Sequence, residues 1–121
     1  MSLSAHSIDN AERIARERKK WTALYRQRLS TEGVAVISAF FEEMFAEPIG
    51  ILGGYFIVLG DDEDAFNEVQ ERLRETCQKF IPLDKLREGR FDDSRRDKAA
   101  SLMANIRSEL EALKSRLESF R

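Results

Sequence analysis

From Asp92 to Arg121 the chain has neither glycine nor proline, and Met103, Ile106, Leu110, Leu113, Leu117 and Phe120 recur at steps of 3, 4, 3, 4 and 3. Only an α-helix puts such steps on one face, because side chains three and four apart stack along its surface. The alternation is that of a coiled-coil seam, but the run is short of three heptads. It suits a long helix packed on its own domain as well as a coil between chains. Met103, Ile106, Leu110, Leu113, Leu117 and Phe120 are therefore the candidate protein interface.

The other segments also read as helices. Residues 7–29 lack glycine and proline, with Ser7 or Asp9 as the expected N-cap. Ala11, Ile14, Trp21, Tyr25 and Leu29 share one side, and Arg13, Arg16, Lys19 and Lys20 share another. This helix is expected on the surface, docked through Trp21 and Tyr25, after a frayed tail at residues 1–6. A second helix is predicted to start at Ser30-Thr31-Glu32-Gly33 and stop at Pro48, with Val34, Ile37, Phe40, Phe41, Met44 and Phe45 as its apolar face.

Residues 49–60 are ambiguous. Tyr55, Phe56, Ile57, Val58 and Leu59 favour a strand, yet no second segment offers a ladder partner, so a short helix or buried connector is preferred. The Gly50 and Gly54 spacing is a weak packing signal in a water-soluble context. A clear amphipathic helix follows, capped by Asp61 or Asp62, with Phe66, Val69, Leu73, Cys77 and Phe80 in its stripe and Pro82 at its end. Residues 81–94 read as a connector anchored by Leu83, Leu86 and Phe91 before the terminal helix. The expected fold is an all-α bundle of four to five helices in a single domain, residues 1–121. The alternative is an α+β domain with a short strand at 54–60. A chain of 121 residues can bury somewhat over ~60% of its unfolded surface, enough for a core without disulfide or metal support.

Chemistry is sparse. His6 is the only histidine and Cys77 the only cysteine. A Ser-His-acid or Cys-His site, or a carboxylate and histidine di-metal centre, cannot be assembled from these within one subunit. Glu43 and Glu47 read as solvated surface. The Asp61-Asp62-Glu63-Asp64 run lacks the spacing and glycine of a calcium loop, and the glycines at 50, 53 and 54 match no phosphate-binding fingerprint. No enzyme activity, cofactor or metal is expected, and Cys77 reads as a packing thiol. The longest apolar run, residues 48–60, is too short for a spanning helix, which needs ~20 residues, and it is flanked by acids, so no membrane role is expected. One cysteine and a charged beginning without an apolar stretch fit a reducing, cytoplasmic setting.

Charge is segregated although the net is only -2. Residues 1–29 carry seven basic and three acidic groups, and residues 30–65 carry eight acidic and no basic ones. The basic segment is expected to lie against the acidic one within the fold, next between subunits, and last on a polyanion. Eight phenylalanines, one tryptophan and two tyrosines exceed what a thin bundle hides alone. Together these features predict a non-enzymatic adaptor, assembly factor or regulator that self-associates, with a homodimer favoured, or docks on a protein. The alternative is an accessory subunit of a nucleic-acid complex, with Arg13, Arg16, Lys19, Lys20, Arg26 and Arg28 as phosphate contacts.

Overall fold

A computed structural model describes the backbone of residues 2–58 and 62–119, and the side chains of residues 12–46 and 62–119. Five helices follow one another: α1 (Ser2–Glu32), α2 (Ala35–Val58), α3 (Glu63–Gln78), α4 (Phe80–Lys85) and α5 (Asp93–Glu118). The all-α expectation is met, with α5 as the long C-terminal helix. Residues 54–58 are helical, so the strand alternative fails there, and residues 59 and 60 lie outside the described residues. A helix satisfies its own backbone groups, whereas a strand at 54–60 would need a ladder partner that no described segment provides.

The first turn of the chain path corrects the reading of Ser30-Thr31-Glu32-Gly33. These residues end α1 and do not start α2. Ser30 Oγ donates to the Arg26 carbonyl (2.8 Å) and Thr31 Oγ1 to the Arg28 carbonyl (3.1 Å), the back-bonding that hydroxyls make inside helices. Gly33 then takes φ +63°, and its amide donates to the Leu29 carbonyl (3.0 Å), a left-handed helix stop that glycine adopts without strain. At its other end α1 starts at Ser2, so the backbone of residues 2–6 is part of the helix.

Pro48 and Pro82 act differently from expectation too. Pro48 lies within α2, which forgoes one backbone bond and continues to Val58. The Pro82 ring would clash with the Gln78 carbonyl if α3 ran on, and α3 stops at that residue. The chain restarts as α4, where Pro82 sits in the first turn and needs no helical amide partner. Residues 81–85 of the expected connector are thus helix, and Phe80, expected in the stripe of the preceding helix, belongs to α4. Asp62 and Asp92 cap α3 and α5: their Oδ1 atoms accept from the amides of Ala65 (3.1 Å) and Arg95 (3.0 Å). Between α4 and α5, Gly89 turns at φ +72°, and the Arg95 guanidinium donates to the Glu88 carbonyl and closes the bend.

α5 is the hub. α1 reverses against it, with Arg26 near Asp97 at one end and Arg13 near Ser119 at the other. α3 is also antiparallel, tied by Lys79 to Glu109 and by Arg116 to Glu68. α2 leaves Gly33 alongside and meets α5 where Glu43 faces Arg107. The core draws Tyr25 and Leu29 from α1, Val36, Ile37, Phe40 and Met44 from α2, Val69 and Leu73 from α3, Phe80 and Leu83 from α4, and α5 throughout. Tyr25 meets Phe40 edge to face at 5.6 Å, the geometry that ring quadrupoles favour. Cys77 is half-buried against this core. Burial raises its pKa, which disfavours the thiolate.

Candidate interaction surfaces

The terminal seam does not reach the surface of the folded chain. Met103, Ile106, Leu110, Leu113 and Leu117 are all buried in the chain's own core, and Phe120 lies outside the described residues. The reason is a second row of small residues on α5 that the larger seam overshadowed. Ala100, Ala104, Ser108 and Ala112 repeat at four-residue spacing, and α1 packs along α5 more extensively than any other pair of helices. Small side chains in a ridge let a helix approach closely. Ala100, Ala104 and Ser108 are buried together with the seam, and α1, α2, α3 and α4 all pack on α5. The alanine spacing was legible in the sequence, and is the signal that marks α5 as a central helix.

Trp21 and Tyr25 anchor α1 as expected, but through a polar node on α5 as well. Arg107 Nη1 donates to Tyr25 Oη (3.0 Å) and lies 3.6 Å from Glu43. Its guanidinium stacks on the Trp21 ring at 5.1 Å, and its Nε lies 3.9 Å from Glu111. Burial alone would lower the Arg107 pKa, but the Tyr25 hydrogen bond and the charges of Glu43 and Glu111 outweigh it, and the net shift is upward. Arg107 thus joins α1, α2 and α5. Glu43, expected as plain solvated surface, is exposed yet belongs to this node.

Beside the node, α1 and the C-terminal half of α5 border an open groove of about 750 Å³. Ile14, Trp21 and Ala112 give it an apolar floor. The lining also holds Arg13, Arg72, Lys114 and Arg116 against Glu17, Glu111 and Glu118, so it prefers neither anions nor cations. Ser108 Oγ is buried at its base without a hydrogen-bond partner.

The candidate phosphate contacts divide into two sets. Arg26 pairs with Asp97 at 3.1 Å and Arg28 with Glu32 at 3.8 Å, which places both beside the buried stripe and commits them within the chain. Arg13, Arg16, Lys19 and Lys20 are exposed and form no ion pair with a described residue. Among the described residues, the acidic segment does not cover this face. Glu42, Glu63 and Asp64 are likewise exposed without an ion pair there. Among the described residues, the expectation that basic and acidic segments neutralise each other within one fold is met only by Arg28 with Glu32.

A third surface is apolar. Phe45 stacks on Phe41 (5.4 Å) and Phe80 (5.0 Å), yet it is 54% exposed. Ile81, which follows Phe80, is 60% exposed, and Arg87 lies over the Phe41 ring at 5.0 Å. Sequence periodicity placed Phe45 in the core face of its helix and left Ile81 unremarked. Their exposure follows from how the Phe80 ring of α4 meets Phe41 and Phe45 of α2, a tertiary fact.

Among the described residues no helix is long and apolar enough to cross a membrane, and no three His, Cys, Asp or Glu side chains gather to hold a metal. Comparison with family models, with curated proteins and with solved structures finds no match to this chain. The all-α bundle and its surfaces are thus the class that the fold itself defines.

Proposed function

We propose that this chain is a non-enzymatic helical interaction protein, an adaptor, assembly factor or regulator that works by self-association or by docking on a protein partner. The observation that carries this reading is the exposure of Phe45, backed by the buried rings of Phe41 and Phe80, together with that of Ile81, which follows Phe80 in α4. Aromatic side chains held rigid from behind, with an arginine at the rim, have the make-up of an interface hot spot. Since Met103, Ile106, Leu110, Leu113 and Leu117 are occupied internally, the contact surface moves from the terminal seam to this patch. The test is Phe45→Ser with Ile81→Ser, read by light scattering after size exclusion and by affinity capture of partners. Loss of self-association or of capture, with helical circular dichroism unchanged, supports the patch. Wild-type behaviour in both readouts overturns it.

The α1 cations without an ion pair among the described residues favour a second reading, an accessory subunit of a nucleic-acid complex that uses Arg13, Arg16, Lys19 and Lys20. Four phosphate contacts on a duplex give a salt slope of about -3 to -4, a loss of roughly a hundredfold in affinity between 50 and 200 mM salt. Binding to duplex DNA or RNA that ignores salt, or that survives Arg16, Lys19 and Lys20→Glu, overturns this reading.

A further inference from the structure

Ser108 is 2% exposed, its Oγ has no hydrogen-bond partner among the described residues, and it lines the base of the groove between α1 and α5. Thr76, equally buried, is met: its hydroxyl donates to the Arg72 carbonyl at 2.9 Å. A fold seldom leaves such a group unmet, and an orphan donor beside an opening points to a molecule that the opening receives. The apolar floor of Ile14, Trp21 and Ala112 adjoins it. The Arg107 guanidinium over the Trp21 ring holds the indole in place, so this wall is formed before any ligand arrives. Charges at the rim already face one another within the chain. Arg72 and Arg116 both approach Glu68, at 3.8 and 3.1 Å, and Glu111 lies 3.9 Å from Arg107. An ionic ligand would gain little from such a rim and would give up its own hydration, whereas an uncharged one meets apolar walls and a single donor. The volume of about 750 Å³ falls within the roughly 300 to 1,000 Å³ of sites for small organic molecules.

We infer that this groove binds a small uncharged molecule with a flat apolar body and a carbonyl oxygen, of the class of aromatic ketones, esters and amides. The body lies on Ile14, Trp21 and Ala112, and the carbonyl accepts from Ser108 Oγ. The hydroxyl is closed to water, so it is met only by a group that the groove itself holds against it. The groove shares no lining residue with the Phe45 and Ile81 patch, so the inference goes beyond the docking reading above and stands or falls separately from it.

The probe is prodan, a neutral naphthyl ketone whose emission moves to shorter wavelength when it leaves water. Trp21 is the only tryptophan, so energy transfer from it to the dye reports on this part of the chain. Full-length protein titrated into a fixed, low dye concentration is expected to give a saturable shift, with a Kd on the order of 0.1 mM for a ligand of this size. Ser108→Ala should weaken binding roughly three- to tenfold, the worth of one neutral hydrogen bond, at an unchanged melting temperature. The same naphthylamine without its ketone should bind wild type and Ser108→Ala alike. Ala112→Leu, which fills the floor, should remove binding. Phe45→Ser with Ile81→Ser should leave it as in the wild type. Absence of a saturable shift overturns the inference, and so does equal binding of prodan by wild type and Ser108→Ala. Dye binding that disappears with Phe45 and Ile81 overturns it too, and assigns the dye to the apolar patch.

Discussion

Truncation of Leu110 to alanine separates an internal seam from one shared between chains. Leu110 is buried on α5 with Met103, Ile106 and Leu113, so the change removes three carbons from a filled core. Lost transfer energy and the residual cavity together cost about 3 kcal/mol for such a site, within a range of roughly 2 to 5. With an unfolding entropy of ~2.1 cal/mol/K per residue, a chain of this length has about 0.25 kcal/mol/K in total, and the melting temperature falls by about 12 °C. The assay is urea unfolding followed by circular dichroism, with wild type and variant each measured at two protein concentrations. If the seam is internal, the Leu110→Ala loss is the same at both concentrations. If two chains share the seam, folding is linked to association, and a fiftyfold dilution lowers apparent stability by about 2 kcal/mol, RT times the logarithm of the dilution. A loss below about 1 kcal/mol, or one that changes with concentration, would refute the packing of α5 described here.

Gly33→Ala forces a side chain into φ +63° with nothing within 4 Å to meet it, so backbone strain alone should cost about 1 kcal/mol in urea unfolding, and Gly33→Asn less. Asp92→Ala removes the α5 cap bond and should cost about 1 kcal/mol by the same measurement, with Asn largely restoring it. Ser108→Ala deletes a buried hydroxyl that has no partner, so thermal unfolding should be unchanged or slightly raised. The raised Cys77 pKa makes the unfolded thiol ionise first as pH climbs. This contribution to stability is therefore full below the unfolded pKa and is lost as pH rises through the folded one. Urea midpoints of wild type and Cys77→Ala, compared between neutral and alkaline pH, should converge as the pH rises. A gap that widens counts against a burial-raised thiol.

Helix identity was legible almost everywhere, because steps of three and four in Val69 to Phe80 and in Met103 to Leu117 are a local signal that each segment carries alone. So was the α3 cap, offered as Asp61 or Asp62 and made by Asp62, whose side chain meets an amide three residues on. Boundaries misread were those where two local rules compete. Ser30 and Thr31 can cap a following helix or back-bond into a preceding one, and the left-handed turn at Gly33 decided for the latter.

What the sequence determined by itself is therefore an α-helical chain with charges sorted along its length and with a single histidine and a single cysteine. Only tertiary structure decided which apolar faces are spent inside. The packing of α1, α2, α3 and α4 around α5 buries Met103 to Leu117 and consumes the seam. The packing leaves Phe45 and Ile81 outside, and the pairing of Arg26 with Asp97 separates a committed arginine from Arg13, Arg16, Lys19 and Lys20, which form no ion pair with a described residue. Periodicity says that a face is apolar or charged. Which face meets which is a matter of non-local geometry, and a helix packs on the neighbour whose ridges fit its grooves.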